Sequence, residues 1–175
     1  QLARIDESLR GFLALASSAS ARVQPVDLAE VVDDVLLEAS QRAGAGLRFE
    51  RDLQPLRLPA VRAELRILIH TLVMNAVEAS PPGACVRVAL RPEGEGTCFE
   101  VCDEGAGIDP ALRPRLFEPH VSSKPAGAGM GLFLSQKLAV QRYGGGIELS
   151  PRAPRGTCAR LRLRPRLSSE AAHAH

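Results

Sequence analysis

Three short clusters of residues in this sequence carry groups that could bind a ligand. They are Asn75 inside an otherwise apolar segment, Asp103 followed by Gly105 and Gly107, and the run GAGMG at 127–131. Each pattern alone is weak, because glycine is common enough for such spacings to arise by chance. Their order along the chain, each at the boundary of a predicted element, indicates one shared site.

Asp103 ends a predicted strand and lies on the same side of it as Phe99 and Val101. Its carboxylate should therefore point to the helix-covered face of the sheet. A carboxylate there needs a donor, and the exocyclic amine of adenine would supply one. Gly105 and Gly107 keep the chain thin enough for a flat base to enter. The alternative is an aspartate that heads an ordinary glycine turn.

The glycines of the run 127–131 precede an apolar helical pattern that extends from Met130 to Leu138. Backbone N–H groups and the positive end of a helix dipole at such a place bind phosphate well. The run is not a P-loop, because no Gly-Lys-Ser/Thr follows and Lys137 lies well inside the helix. It is not a dinucleotide fingerprint either, because no parallel βαβ unit surrounds it. The alternative is a mobile lid that binds no ligand.

Asn75 lies in a helix predicted from Val61 to Ser80, where an unpaired buried amide would cost roughly 1 to 3 kcal/mol. It therefore needs a partner or faces a cleft. An amide oxygen suits a magnesium ion that nucleotide phosphates already hold. The alternative is an asparagine on the polar side of the helix.

Hydrophobic periodicity predicts the elements that position these groups. Asp27 should cap a helix that runs to about Arg42, and Pro81-Pro82-Gly83 should end the helix that contains Asn75. From Leu47 the pattern is extended, and three later segments alternate apolar and polar residues as half-buried strands do. These predicted strands are 85–91, 97–103 and 157–164.

The alternation also predicts the architecture. One apolar and one polar face per strand indicates a sheet that helices cover on one side only, which gives two layers. The glycine- and proline-rich stretch between Asp103 and Met130 is too long for an ordinary connection. Stretches of that length are usually functional or disordered.

Composition limits the function classes. A chain of 175 residues, 45% of them hydrophobic, can form one domain with a short extension. The net charge of +2 demands no nucleic-acid or membrane partner. The four cysteines form no CxxC pair and no zinc-ligand spacing, which predicts reduced thiols in the cytosol. The absence of an initial methionine, a signal peptide and a long apolar run predicts an internal or C-terminal fragment.

Together the motifs resemble those of sensor histidine kinases. The resemblance runs from about Asp27 to Arg164 in the order of that family, and four motifs in that order are highly specific. HTLVMNA at 70–76 resembles the N box, DEGAGI at 103–108 the G1 box, LFEP at 116–119 with SSKP at 122–125 the F box, and GAGMGL at 127–132 the G2 box.

The resemblance implies the GHKL, or Bergerat, ATPase fold. This is a two-layer α/β sandwich with a mixed, mostly antiparallel sheet and helices on one face, here with an N-terminal helical extension. It would bind ATP and Mg²⁺ under a lid anchored by Phe117. Asn75 and Lys124 would be the catalytic residues, and Asn75 would bind Mg²⁺ through the ATP phosphates. The implied nucleotide-binding residues are Asn75, Ala79, Asp103, Gly105, Gly107, Ile108, Phe117, Gly127, Gly129, Met130, Gly131 and Leu132.

The resemblance also implies domains and partners. Residues 1–24, with an apolar stripe over 2–20, resemble the end of a dimerisation helix and its linker. The resemblance implies that residues 25–166 are the ATP-binding domain, and 167–175 are expected to be a disordered tail. The implied partners are ATP and ADP, a phosphoacceptor-histidine dimerisation domain, a response regulator receiver domain and a second copy through the N-terminal helix. A cytoplasmic location is expected, with the whole protein either soluble or membrane-attached.

Four histidines are present, and none has the sequence context of the phosphoacceptor. His120 lies in the F-box stretch, and His173 and His175 lie in the tail. The expected function is therefore transfer of the ATP γ-phosphoryl group to a histidine outside this segment. Without that histidine the segment should not autophosphorylate alone.

Two positions depart from the family pattern. Thr71 stands where many kinases have a second asparagine and hydrolysing relatives have a glutamate, so fast ATP hydrolysis is not expected. Phosphoryl transfer does not strictly need that base, because it depends on positioning and charge stabilisation. Glu78 stands where the family is often basic, which should lower ATP affinity. The alternatives are a non-catalytic regulatory nucleotide-binding domain and an ATP-driven clamp, and Thr71 argues against the clamp.

Overall fold

A five-stranded mixed sheet covered on one face by helices forms the core of the chain in a computed structural model, which describes residues 22–43, 46–121 and 129–165. The predicted two-layer α/β sandwich is confirmed. The strands are β1 (Gln24–Asp27), β2 (Arg48–Leu53), β3 (Arg57–Ala60), β4 (Cys85–Glu93), β5 (Gly96–Cys102), β6 (Gly146–Pro151) and β7 (Thr157–Leu163), and the helices are α1 (Leu28–Ala43), α2 (Arg62–Ala79) and α3 (Gly131–Tyr143).

The sheet has the order β2-β4-β5-β7-β6. β2 runs parallel to β4, and the three remaining pairs are antiparallel. β1 and β3 form a separate antiparallel pair. The predicted N-terminal extension (residues 1–24) lies almost wholly outside the described residues, as does the predicted tail (167–175), so both stay predictions.

The predicted alternation is confirmed on both faces of the sheet. Phe99, Val101 and Leu161 are fully or almost fully buried under the helices. The opposite face carries exposed pairs such as Arg162 with Glu148, at 2.7 Å. Exposed pairs of this kind contribute at most about 1 kcal/mol each, so the buried apolar face dominates stability.

The helices begin and end close to their predicted limits. Asp27 caps α1, because its Oδ1 accepts hydrogen bonds from the Ala29 N–H at 3.0 Å and the Glu30 N–H at 3.4 Å. α2 ends at Ala79, before the two prolines. At the far end of the helical layer the Tyr143 hydroxyl donates to the buried Glu64 carboxylate at 2.7 Å, which joins α3 to the start of α2.

The cysteines differ from the prediction. Cys102 and Cys158 form a disulfide, so the expectation of four reduced thiols is wrong for this pair. The two cysteines are 56 residues apart in sequence, and the antiparallel register of β5 and β7 sets them directly opposite each other. Cys85 and Cys98 are free thiols.

None of the helices in the described segments combines the length and the apolar character that crossing a membrane requires.

Candidate functional site

A cleft of about 330 Å³ opens between the second half of α2, the ends of β5 and β7, and the start of α3. Most of its wall is apolar, and the polar groups are few. Of the lining residues that the structure describes, none is basic. They are Leu72, Asn75, Ala76, Glu78, Ala79, Val101, Asp103, Gly107, Ile108, Leu116, Val121, Gly129, Met130, Gly131, Leu132, Leu149, Thr157 and Ala159.

Asp103 is the buried carboxylate of this cleft, at 5% exposure. Its Oδ1 accepts the Gly105 N–H at 2.8 Å and the Thr157 N–H at 3.1 Å, and its own N–H donates to the Thr157 carbonyl at 2.9 Å. Both main-chain donors thus bind one carboxylate oxygen. Within the described residues no hydrogen bond reaches the other oxygen, which leaves it available to a donor in the cleft.

Burial raises the pKa of Asp103 above its ordinary value, and hydrogen bonds from Gly105 and Thr157 and the charge of Arg152 oppose that rise. The folded chain therefore holds this proton at pH values where the unfolded chain has lost it. The resulting contribution to stability is complete below the unfolded pKa and is lost as the pH rises through the folded pKa. Keeping Asp103 ionised at neutral pH thus costs stability, as is common at functional sites.

Gly105 is buried directly behind Asp103 rather than in the cleft wall. A Cβ atom there would lie 2.4 Å from the carbonyl oxygen of Ala79 and 3.0 Å from Oδ1 of Asp103. Only a glycine lets the end of α2 approach the turn this closely. Ala79 in turn lines the cleft, so a displacement at this contact would move part of the cleft wall.

The start of α3 forms a second wall of the cleft, through Met130, Gly131 and Leu132. Within the described residues no side chain caps this helix, whose first N–H groups have no partner within the helix itself. Gly129 precedes the helix with φ +66°, and its carbonyl accepts the His120 N–H at 3.1 Å. N–H groups at the start of a helix attract anions, so the start of α3 is the part of the cleft that suits a phosphate.

One side of α2 supplies the third wall. Asn75, Glu78 and Ala79 follow one another at helical spacing and all line the cleft, one turn above Thr71, whose methyl group faces Gly131. In the described segments no group of three or more His, Cys, Asp or Glu side chains could hold a metal ion by itself. A cation here would need ligands from the bound molecule as well.

The structure brings most of the predicted site residues together. Gly105 lies behind the wall, and Phe117 packs against the core instead of lining the cleft. Lys124 and Gly127 lie outside the described residues. The sequence motifs did not predict the apolar wall of the cleft. Two of its residues, Val101 and Ala159, lie on the buried side of their strands, and the alternation of those strands was a signal for them. The lining residues outside the predicted set are Leu72, Ala76, Glu78, Val101, Leu116, Val121, Leu149, Thr157 and Ala159.

Comparison with known proteins finds one family model, described as histidine kinase-, DNA gyrase B-, and HSP90-like ATPase, that matches residues 60–167. Nitrogen regulation protein NtrY of Azorhizobium caulinodans is 34% identical over 125 residues, which cover 66% of this chain and 16% of NtrY. The C4-dicarboxylate transport sensor protein DctB of Rhizobium meliloti is 34% identical over 146 residues, which cover 80% of this chain and 23% of DctB.

Two solved structures resemble the fold. The mycobacterial sensor histidine kinase MprB superposes with a TM-score of 0.72 at 30% identity, covering 82% of this chain and 99% of that one. Full-length ShkA in complex with AMPPNP superposes with a TM-score of 0.75 at 24% identity, covering 92% of this chain and 36% of that one. The chain thus spans about a sixth to a quarter of the curated relatives named above.

Proposed function

This chain belongs to the family of histidine kinase-, DNA gyrase B- and HSP90-like ATPases and matches the catalytic domains of sensor histidine kinases, and on that premise we propose how its cleft works. The cleft binds ATP with Mg²⁺, and the whole protein transfers the γ-phosphoryl group to a histidine outside this segment. The observation that carries the proposal is the buried Asp103 carboxylate, with one oxygen held by main-chain donors and the other available to the adenine amine.

The adenine end of the proposed site is apolar apart from Asp103. Val101 and Ala159 lie on the sheet beside it, and Ala76 lies on α2 opposite. A flat base between these small side chains would be removed from water, which strengthens a hydrogen bond to a carboxylate. The geometry therefore suits adenine, whose amine donates, and not guanine, which has a carbonyl acceptor at that position.

The phosphate end has helix amides but, in the described part of the lining, no basic side chain. The N–H groups that begin α3 would bind phosphate oxygens directly. Asn75 offers a neutral oxygen one turn from Glu78, a donor set that suits Mg²⁺ shared with phosphates better than a metal held by protein alone. When bound, Mg²⁺ would neutralise charge on the phosphates. Lys124, outside the described residues, is proposed as a further contact.

The chain's own residues position the nucleotide rather than react with it. Thr71 lies beside Gly131 at the phosphate end and has no carboxylate that could deprotonate water. We therefore expect slow hydrolysis and transfer to a positioned histidine acceptor. Glu78 in the lining favours one alternative, a regulatory domain that binds nucleotide weakly and transfers nothing.

The remaining parts of the proposal concern the whole protein. Its partners are a phosphoacceptor-histidine dimerisation domain, a response regulator receiver domain and a second copy joined through residues 1–20. Its location is cytoplasmic, where ATP is available. Glutathione and thioredoxin there would act against the Cys102–Cys158 disulfide.

Incubating the full-length protein with ATP labelled at the γ-phosphate tests the transfer step. The proposal predicts acid-labile label on a histidine that passes to a receiver domain, and no label when this 175-residue chain is incubated alone. Nucleotide binding without label in the full-length protein would favour the regulatory alternative.

We predict that nucleotide affinity falls on acidification at a pH set by Asp103. Protonation removes the negative charge of the carboxylate that accepts a hydrogen bond from the adenine amine. Burial raises the pKa of this group. Below that pKa the dissociation constant for ADP should rise by about tenfold per pH unit. Titration calorimetry from about pH 4.5 to pH 8 measures the step. Asp103→Asn should bind weakly at every pH with no such step, and a wild-type step that survives in this variant would contradict the assignment.

A second prediction concerns Mg²⁺. Asn75→Ala removes the neutral oxygen from α2 and should weaken binding of a non-hydrolysable ATP analogue by about tenfold in the presence of Mg²⁺. In the presence of a chelator, wild type and variant should bind equally. Ser40→Ala serves as the control, because Ser40 lies on α1 outside the lining and its hydroxyl donates only to the Leu36 carbonyl, at 2.8 Å, among the described residues. An equal loss with and without Mg²⁺ would show that Asn75 does not act through the metal.

A further inference from the structure

The turn between β6 and β7 lies directly against the main chain of the Asp103 turn. A Cβ atom on Gly156 would lie 2.1 Å from the carbonyl oxygen of Asp103, so the two segments are in contact along their backbones. The turn itself is closed by the Arg152 N–H, which donates to the Gly156 carbonyl at 3.0 Å. Its conformation is therefore coupled to that of the residues that present the Asp103 carboxylate.

Two arginines of this turn donate hydrogen bonds to oxygen atoms of residues 103–105. Arg152, whose side chain is 14% exposed, donates from Nη1 to the Asp103 carbonyl at 2.9 Å and from Nη2 to the Glu104 carboxylate at 3.4 Å. Arg155 donates from Nε to the Gly105 carbonyl at 3.1 Å. The other carboxylate oxygen of Glu104 accepts the Cys85 N–H at 3.0 Å, which anchors the cluster to the start of β4.

The contacts of Arg152 are with the Asp103 turn and not with the cleft lining. Arg152 is not one of the residues that line the cleft, and its donors reach the Asp103 carbonyl and the Glu104 carboxylate. A planar guanidinium that spans two acceptors restrains both of them more strongly than a single point contact does.

We propose that Arg152 is a positioning residue of the nucleotide site, which holds the main chain of Asp103 and Glu104 so that the Asp103 carboxylate keeps its direction into the cleft. This inference rests on the proposed function of the cleft. The charge of Arg152 has a second effect in the same direction, because it opposes the burial that raises the pKa of Asp103. Arg152 therefore favours the ionised carboxylate that the adenine amine requires.

The test measures ADP affinity of the 175-residue chain by calorimetry as a function of pH in the wild type, Arg152→Gln, Asp103→Asn and the double variant. Arg152→Gln should bind ADP about fivefold more weakly at neutral pH, and the pH below which binding is lost should move upward. In the Asp103→Asn background, Arg152→Gln should have no further effect, because Arg152 acts through Asp103.

Two more variants separate positioning from general stability. Arg160→Gln removes an exposed arginine that pairs with Glu100 on the uncovered sheet face, and its affinity and pH profile should match the wild type. Arg152→Lys keeps the charge but can span only one acceptor, so affinity should be intermediate with an unshifted pH step. Faster hydrogen exchange of the Gly105 and Thr157 amides in Arg152→Lys supports the proposal even if Arg152→Gln does not fold.

Each contrary outcome has a definite meaning. Equal ADP affinity and equal pH profiles in wild type and Arg152→Gln would overturn the inference and leave the proposed function intact. The inference would also be overturned if Arg152→Gln lowered ADP affinity by the same factor in the wild type and in Asp103→Asn. Unchanged amide exchange in Arg152→Lys would overturn it as well. A wild-type chain that binds no nucleotide would overturn both the proposed function and this inference.

Discussion

Asp103→Asn is expected to lower the affinity of this chain for ADP by roughly 10- to 100-fold while the domain stays folded. A hydrogen bond to a charged acceptor contributes about 1.5 to 3 kcal/mol, and 1.4 kcal/mol corresponds to a tenfold change in affinity. The amide oxygen of asparagine can still accept the Gly105 and Thr157 N–H groups. Its amide nitrogen then faces the adenine amine, donor against donor.

The same substitution should leave the ligand-free domain at least as stable at neutral pH. Replacing the buried carboxylate by a neutral amide removes the cost that raises the pKa of Asp103. Thermal unfolding without nucleotide measures this, and the melting temperature should be equal to or above that of the wild type. Asp109→Asn is the control, because Asp109 is exposed and caps only a local turn through the Ala111 N–H. An Asp103→Asn affinity within twofold of the wild type would contradict the assignment of the adenine end.

Gly105→Ala is expected to weaken ADP binding by more than about tenfold and to destabilise the domain by about 1 to 3 kcal/mol. The added methyl group would lie 2.4 Å from the Ala79 carbonyl oxygen, so the end of α2 or the Asp103 turn must move. Either movement alters the cleft. Calorimetry and denaturant unfolding measure the two effects.

The matched control for Gly105→Ala is Gly46→Ala. No atom lies within 4 Å of a Cβ placed at Gly46, so this variant should bind and unfold like the wild type. Comparable behaviour of the two variants would show that the tight contact between Ala79 and Gly105 does not shape the site.

Local patterns predicted the elements that carry the chemistry. The period-two alternation of β5 placed Asp103 on the buried side with Phe99 and Val101, and all three are buried there. The wide apolar face of α2 predicted a core helix, whereas the direction of Asn75 was left open, and the structure places it in the cleft wall. Both inferences depend on neighbours only a few residues away, which a sequence displays directly.

The short strands could not be predicted in the same way. β1 and β3 have four residues each and contain Pro25 and Pro59, which are typical of turns and sheet edges. β6 holds only one buried residue, Ile147, so its pattern carries no period of two. β1 and β3 pair with each other, and β6 pairs with β7. The information that brings such strands together is tertiary.

Contacts that depend on the register of neighbouring strands could not be predicted from the sequence either. The Cys102–Cys158 disulfide and the hydrogen bond from Arg152 to Asp103 join residues about fifty positions apart. Each depends on how β5, β6 and β7 align, and a shift of one residue would remove both. The spacing of cysteines and the positions of ligand motifs in a sequence carry no information on how these strands align.

The central claim is that this cleft binds a magnesium–adenine nucleotide through Asp103 and Asn75. Its most direct test is calorimetric titration of ADP and a non-hydrolysable ATP analogue into the chain, with and without Mg²⁺, in the wild type, Asp103→Asn and Asn75→Ala. We predict micromolar binding in the wild type, weakened roughly 10- to 100-fold in Asp103→Asn and weakened only with Mg²⁺ in Asn75→Ala. A wild-type chain that binds neither nucleotide, or binding that both substitutions leave unchanged, would contradict the account.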